Sequence, residues 1–181
     1  MRQLFSMNNL QATEQFAELI AGVIVPDHTR KVAGNDVRQA FVVTLNGELG
    51  AGKTTLVRGV LLALLVPGII KSPTFTLVEP YVVDGLNIYH FDLYRLNDPD
   101  EWFALGFDEY FGPDTVCFIE WAENAGMLIP QIDWQIDVHM PDGNEESDTD
   151  KRNICVTSKS VMGDQCLKLL IQRAANLFSL A

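Results

Sequence analysis

Basic residues are scarce in this chain of 181 residues, which has 13 Lys and Arg against 24 Asp and Glu. The resulting formal net charge of −11 argues against direct, non-specific binding to a nucleic-acid backbone, because such binding requires clustered positive charge. Work on RNA through a basic partner protein remains open.

Cysteines, histidines and long apolar runs are few as well. Cys117, Cys155 and Cys166 lack the spacing of a metal site or of a CxxC redox pair, so we expect buried thiols in a reducing compartment. The three scattered histidines predict no zinc site. An apolar run such as LLALLVPGII falls well short of the roughly 20 residues of a membrane-spanning helix. The first 25 residues lack a secretory cleavage pattern, so we expect a cytoplasmic protein that is not bound to a membrane.

The apolar periodicity predicts one α/β domain over residues 1–181, with a mixed, largely parallel sheet flanked by helices, a C-terminal β-hairpin and a final helix. Predicted helices cover residues 12–25, 52–65, 99–105 and 164–178. Predicted strands cover residues 40–45, 75–83, 86–94, 115–121, 132–140 and 154–158. Thr13 is the expected N-cap of the first helix, and Asp84-Gly85 is the expected turn of the first strand pair. Residues 26–39 are predicted to form a polar loop, and the C-terminal hairpin has a charged tip.

The segment GELGAGKT, residues 47–54, fits the phosphate-binding pattern G-x-x-x-x-G-K-[ST]. A loop that wraps phosphate turns its backbone N–H groups inward, which demands backbone angles and close approaches that glycine tolerates best. The following helix adds its positive N-terminal dipole end. We expect Lys53 to bridge the β- and γ-phosphates and Thr54 to ligate Mg²⁺. A glycine-rich turn without a ligand is the alternative.

Two acids follow strand-like runs downstream of this loop. Glu120 ends the run VCFIE and Asp92 ends LNIYHFD, and the carboxyl ends of strands gather ligands in open α/β sheets. We expect Glu120 to hold the metal, directly or through water, and Asp92 to act as base or to orient water. The reversed assignment and a surface position for either acid are alternatives. Trp121 is a candidate nucleotide neighbour, with simple packing as the other possibility.

The loop Ser72-Pro73-Thr74 occupies the place where nucleotide switches lie in phosphate-loop proteins. Thr74 is therefore a candidate sensor of Mg²⁺ or of the γ-phosphate. A rigid proline turn without switching is the alternative interpretation.

Four motifs, LNGELGAGKTTLVRG, KSPTFTLVEPY, YHFDLYRL and IEWAE, occur in this order along the chain. Together they closely resemble the TsaE family of small bacterial P-loop ATPases, which are needed for the threonylcarbamoyladenosine modification of tRNA. The resemblance runs from about Thr13 to Cys155; residues 26–39 and the acidic tip at 143–150 depart from the compact family pattern. It implies ATP and Mg²⁺ as cofactors and a complex of TsaB and TsaD as partner. ATP hydrolysis would support repeated turnover, and tRNA would be reached only through that complex.

The resemblance also implies roles for individual residues. Asp92 is needed for hydrolysis, Thr54 and Glu120 bind Mg²⁺, and Thr13 lies near the adenine. Arg152 matches a basic residue near the nucleotide, and Trp121 is a nucleotide neighbour. The implied phosphate contacts are Leu49, Gly50, Ala51, Gly52, Lys53 and Thr54, and Thr55 is a further candidate nucleotide-binding residue.

Two other functions compete with a partner-dependent ATPase. A small-molecule kinase usually has an arginine-rich lid, whereas this chain has few arginines. The second alternative is a non-catalytic assembly module, in which ATP binding alone clamps a partner. The sequence distinguishes it poorly from an ATPase. Since no obvious arginine finger faces the site, with Arg95 the nearest candidate, we expect slow hydrolysis by the isolated chain.

Overall fold

The computed structural model describes residues 1–24, 40–141, 150–175 and 177. Its strands are β1 (Arg2–Met7), β2 (Phe41–Asn46), β3 (Val78–Val83), β4 (Leu86–Asp92), β5 (Thr115–Glu120), β6 (Trp134–His139) and β7 (Arg152–Ser158). Its α-helices are α1 (Leu10–Ile24), α2 (Lys53–Ala63), α3 (Pro99–Ala104) and α4 (Val161–Ala174). Short 3-10 helices cover Phe107–Tyr110, Ala122–Asn124 and Gly126–Leu128.

The strands form one seven-stranded sheet in the order β1-β7-β6-β2-β5-β4-β3. The pairs β6–β2, β2–β5 and β5–β4 are parallel, whereas the pairs nearer the two edges are antiparallel. Five strands therefore run in one direction, and β3 and β7 run against them. The predicted α/β fold with a mixed, largely parallel sheet is confirmed. Strand β1 was not predicted; it pairs with β7, which lies far along the chain.

The sheet separates two apolar cores. Because successive side chains of a strand point to opposite faces, the fully buried strands β2 and β5 supply both cores. Val43, Leu45 and Phe118 pack on the side of α1, α2 and α4. Val42 and Ile119 pack on the other side, beneath α3 and the 3-10 helices.

Several local predictions are confirmed. The strand pair β3–β4 turns through Asp84 and Gly85, both with positive φ, and β6 and β7 form the C-terminal hairpin. Helix α2 ends before the Val66-Pro67-Gly68 segment, and α3 is capped by the Asp98 side chain. Pro80 is tolerated within β3 because this strand lies at the edge of the sheet. Residues 26–39 and the hairpin tip at 142–149 lie outside the described residues.

The predicted N-cap of the first helix was wrong. Helix α1 begins at Leu10, and the Asn9 side chain caps it by accepting the Ala12 N–H at 2.8 Å. Thr13 therefore lies within the first turns of the helix, where it is buried. Asn and Thr are both good caps, and the sequence pattern alone placed the helix start several residues too late.

The three cysteines are buried thiols that form no disulfide, as expected. Among the helices of the described residues, none is both long and apolar enough to cross a membrane.

Candidate nucleotide-binding site

The loop between β2 and α2 is shaped by its glycines. Gly47 has a φ of 142°, and a Cβ atom added there would lie 2.3 Å from the backbone oxygen of Val138 on β6. Gly52, immediately before α2, has a φ of 106° in the left-handed region. Any side chain at Gly47 would push the loop away from the sheet, and any residue other than glycine at either position would strain the backbone.

The N-terminus of α2 opens onto this loop. The first intrahelical bond runs from the Leu56 N–H to the Gly52 carbonyl, and no side chain caps this end within the described residues. The N–H groups of Lys53 to Thr55 therefore lack intrahelical acceptors. An anion placed above the loop would meet these donors and the positive end of the helix dipole.

Lys53 lies beneath the loop and is 4% exposed. Its Nζ donates to the carbonyl oxygens of Gly47 at 2.7 Å and Glu48 at 3.0 Å. The same ammonium lies 4.0 Å from the centroid of the Trp121 ring, which is a cation–π contact. The position of Trp121 next to Lys53 supports its interpretation as a neighbour of the site.

The two predicted acids lie side by side at the carboxyl ends of neighbouring strands. Asp92 is the last residue of β4 and Glu120 the last of β5, and they are direct partners in the parallel register. Both are buried, at 6% and 2% exposed. Burial lowers the pKa of Lys53, and the negative charges of Glu120 and Asp92 oppose part of that shift.

Glu120 is held from two sides. The Thr54 hydroxyl donates to Oε2 at 3.0 Å, and His90 Nε2 lies 2.8 Å from Oε1. Asp92 accepts the Tyr94 backbone N–H at 3.1 Å, which orients its carboxylate. The acids and Thr54 thus come together although they are far apart in the sequence.

These groups surround a cleft of about 290 Å³. Its walls also include Thr74 and Arg95, so the switch candidate and the nearest arginine both border the site. Thr74 Oγ1 and Ser72 Oγ lie 2.8 Å apart, and the Arg95 guanidinium lies 4.6 Å from the ring centroid of Phe75. The predicted site residues that line this cleft are Leu49, Gly50, Gly52, Lys53, Thr54, Thr55, Asp92, Glu120 and Trp121.

A smaller cavity of about 170 Å³ lies on the other side of Gly52 and Thr55, which border both spaces. Thr13 and Arg152 line it, together with the aliphatic residues Leu10, Leu56, Val138 and Ile154. The structure thus brings Thr13 and Arg152 to one cavity, which Asp150 also lines and which is separate from Asp92 and Glu120. Ala51 differs from the other loop residues, because its side chain is buried and its carbonyl accepts the Arg152 Nε–H at 2.6 Å.

The sequence analysis did not single out His90 as a site residue. A signal was present: His90 precedes Asp92 by two residues, so both side chains project from the same face of β4. The contact between the Tyr94 and Trp121 rings, with centroids 5.1 Å apart, had no sequence signal because the residues lie on different segments. The approach of the Val138 carbonyl to Gly47 had no sequence signal either.

The oxygen atoms of this site fit Mg²⁺. Thr54 Oγ1 and Glu120 Oε2 lie 3.0 Å apart, the separation of about 3 Å expected between neighbouring ligands of an octahedral Mg²⁺. Within the described ranges, no group of three or more His, Cys, Asp and Glu side chains could hold a metal by itself. Mg²⁺ is commonly bound by one or two protein groups together with substrate phosphates, which matches this donor set.

Comparisons with known proteins agree with one another. A family model described as threonylcarbamoyl adenosine biosynthesis protein TsaE matches residues 7–153. The tRNA threonylcarbamoyladenosine biosynthesis protein TsaE of Haemophilus influenzae is 41% identical over 149 residues, which cover 82% of this chain and 85% of the relative. The protein of the same name from Bacillus subtilis is 41% identical over 116 residues, which cover 61% and 71% of the two chains. The crystal structure of YdiB from Bacillus subtilis is similar with a TM-score of 0.67, at 27% identity and 96% coverage of both chains.

Proposed function

The chain belongs to the TsaE family, and on that premise we propose that it is a cytoplasmic Mg²⁺-dependent ATPase of tRNA modification. It acts on a complex of TsaB and TsaD and supports repeated formation of threonylcarbamoyladenosine in tRNA. The names of its relatives in Haemophilus influenzae and Bacillus subtilis support the pathway. The chain itself reaches tRNA only through its partners, in keeping with its net charge of −11.

One observation carries the proposal. Lys53, Thr54, Asp92 and Glu120 border a single cleft of about 290 Å³, beside a glycine loop and a helix N-terminus. A positive group, a hydroxyl and two carboxylates in this arrangement match the needs of a Mg²⁺-bound triphosphate. A glycine turn with no ligand would not require buried charges around it.

Lys53 and the first-turn N–H groups of α2 bind the phosphates. To reach them, Lys53 exchanges its hydrogen bonds to the Gly47 and Glu48 carbonyls for phosphate oxygens. Thr54 and Glu120 would hold Mg²⁺, which would neutralise phosphate charge when bound. The cavity beside Thr13 and Arg152 takes the adenosine end of the nucleotide, since its aliphatic walls suit a base.

Asp92 orients or deprotonates the attacking water. The Tyr94 N–H fixes the carboxylate, which borders the cleft next to Glu120. Trp121 covers Lys53 and helps to exclude bulk water, which strengthens the electrostatic contacts below it. Hydrolysis by the isolated chain is slow, because Arg95, the arginine that lines this cleft, packs over Phe75.

The test is ATP hydrolysis and binding by the native chain and by Lys53→Ala, each with and without TsaB–TsaD. We expect slow native turnover, well below the typical enzyme value of about 10 s⁻¹, which rises when the partners are added. Lys53→Ala weakens nucleotide binding by about 100-fold, because charge-assisted hydrogen bonds contribute about 1.5–3 kcal/mol each. Lys159→Ala, at an exposed lysine, is the matched control and changes neither. Native protein that fails to bind Mg-ATP in calorimetry would refute the proposal.

A non-catalytic assembly module is the second candidate, favoured by the packing of Arg95, which lines the cleft of about 290 Å³, over the Phe75 ring. The two are separated by Asp92→Asn, which keeps the volume of the side chain and removes its charge. An ATPase role predicts intact nucleotide binding and loss of modification activity in the reconstituted system. Full modification activity with this variant would favour the assembly module.

A further inference from the structure

A histidine–glutamate pair lies under the candidate metal position. His90 Nε2 is 2.8 Å from Glu120 Oε1, and the two side chains are 1% and 3% exposed. His90 projects from β4 on the same face as Asp92, and Glu120 ends the adjacent parallel strand β5. His90 therefore lies on the sheet face that supports the cleft, behind Glu120, which lines the cleft.

The contacts of the two ring nitrogens favour one tautomer of His90. An ionised carboxylate can only accept hydrogen bonds, so His90 Nε2 must donate to Glu120 Oε1. Among the described residues, the other ring nitrogen, Nδ1, is buried and has no hydrogen-bond partner. An unpaired buried lone pair is tolerated more readily than an unpaired buried N–H, which also favours the tautomer with the hydrogen on Nε2.

A histidine that served only packing would be an expensive choice at this position. An apolar side chain of similar size would avoid the unsatisfied Nδ1, and the neighbouring interior is apolar, with Phe118 directly beside His90 in the register. Where natural proteins leave a buried polar group unsatisfied, the position is commonly a functional site. The cost is understandable if the Nε2–H group has a task at Glu120.

That task follows from the two ends of the carboxylate. Thr54 and His90 hold opposite oxygens of Glu120. A metal bound between Thr54 and Oε2 would leave His90 as the contact that fixes the carboxylate from behind. Such supporting hydrogen bonds orient metal ligands and influence metal affinity.

We propose that His90 is a positioning residue, which donates from Nε2 to Glu120 Oε1 and thereby directs Oε2 towards Thr54 and Mg²⁺. The inference deepens the proposed function and rests on it. His90 is buried and does not line the cleft, so its contribution lies in the Mg²⁺ dependence of nucleotide binding and not in the phosphate contacts of Lys53.

The test is a titration of Mg²⁺ at a fixed concentration of a non-hydrolysable ATP analogue, followed by calorimetry, with a parallel measurement of nucleotide binding in EDTA. The variants are His90→Leu, His90→Asn and His90→Gln. The amide nitrogen of Gln reaches the place of Nε2, whereas that of Asn reaches only the place of Nδ1. His139→Leu, at an exposed histidine that ends β6, is the matched control.

We expect His90→Leu and His90→Asn to raise the half-saturating Mg²⁺ concentration by about tenfold, and His90→Gln to stay within about threefold of native. Binding in EDTA and the control variant should be unchanged. An unchanged Mg²⁺ dependence in His90→Leu or His90→Asn, or a loss in His90→Gln as large as in His90→Asn, overturns the proposal.

Nitrogen NMR of the His90 ring in the metal-free native chain gives a second readout that needs no folded variant. Hydrogen on Nε2 is expected, and hydrogen on Nδ1 alone overturns the inference. A native chain that binds no nucleotide overturns the proposed function together with this inference. If nucleotide binding by the native chain depends on Mg²⁺ and the His90 variants show the same dependence, only this inference is overturned.

Discussion

Buried acids occur at both ends of the parallel strands, but they serve in different ways. At the carboxyl ends of β4 and β5, Asp92 and Glu120 border an open cleft. At the opposite end, Asp133 precedes β6 and is 1% exposed. Its carboxylate accepts the Val42 N–H at 2.9 Å and the Ser160 hydroxyl.

The difference lies in what satisfies each carboxylate. Asp133 is bonded to β2 and to the N-cap of α4, so it joins strand and helix and presents no group to a ligand. Glu120 is bonded to Thr54 and His90, at the edge of a cleft. A buried acid is therefore structural where its partners belong to the framework, and available for chemistry where a cavity adjoins it.

The largest test of this contrast is the removal of each carboxylate. Asp133→Ala should lower the free energy of unfolding by about 2–4 kcal/mol, because the Val42 N–H and the Ser160 hydroxyl lose their buried acceptor. Nucleotide binding should be unchanged. Urea unfolding followed by circular dichroism, together with calorimetry, measures both.

Asp92→Ala is the converse variant. It should cost only about 1 kcal/mol of stability, since a single backbone N–H loses its acceptor, while hydrolysis falls by at least about 100-fold. If Asp133→Ala impaired hydrolysis in a chain that remained folded, the division between the two ends would be wrong.

Two glycines allow the same comparison between the framework around Asp133 and the candidate site, with a smaller expected effect. A Cβ atom at Gly163 would lie 2.2 Å from the Asp133 backbone oxygen, and one at Gly47 would lie 2.3 Å from the Val138 oxygen. Each change to alanine should cost about 1–3 kcal/mol of stability, because the backbone must move. Only Gly47→Ala should also weaken nucleotide binding.

Gly112→Ala is the neutral control for both glycines, since the added Cβ atom would meet nothing within 4 Å. Thermal unfolding and nucleotide calorimetry distinguish the three variants. Equal nucleotide affinity in Gly47→Ala and Gly163→Ala would contradict the assignment of the β2–α2 loop to phosphate.

The smallest expected effect is a pH dependence. Burial raises the pKa of Asp133, although hydrogen bonds from Ser160 and Val42 oppose the shift. The folded chain thus holds this proton more tightly than the unfolded chain does. The stability that Asp133 contributes is full below its unfolded pKa, near 4, and declines as the pH rises through the raised folded value.

The difference in unfolding free energy between the native chain and Asp133→Ala should therefore be smaller at pH 7 than near pH 4. Urea unfolding of both proteins at several pH values measures it, and the other acids cancel in the comparison. A difference that grows with pH would show that hydrogen bonding outweighs burial at Asp133.

Much of the fold was predictable because local patterns and tertiary structure agree. Buried strands β2 and β5 are short apolar runs, and the Asp84-Gly85 turn and the Asp98 cap carry strong local signals. The start of α1 was misplaced because Asn9 and Thr13 both fit a cap. Strand β1 was missed, since its partner β7 follows about 145 residues later and a lone edge strand carries little local signal.

For the candidate site, the sequence predicted the chemical groups but could not supply their neighbours. The phosphate-loop spacing specified the glycines, Lys53 and Thr54, and the ends of two apolar runs indicated Asp92 and Glu120. Trp121 was a candidate only because it follows Glu120 in the sequence. The packing of its ring on Lys53 depends on a backbone turn at Trp121 with a φ of 58°, which no residue pattern announces.

The sequence by itself determined the phosphate loop, the α/β order of elements and the identity of the acids, because these depend on short-range spacing and on the period of side chains. The tertiary structure alone decided that Asp92 and Glu120 are register partners and that His90 contacts Glu120. It also decided that Asp133 links β2 to the start of α4. Those outcomes depend on which strands become neighbours. Strand order arises from the burial of the whole sheet between its two cores, a collective property that no local segment encodes.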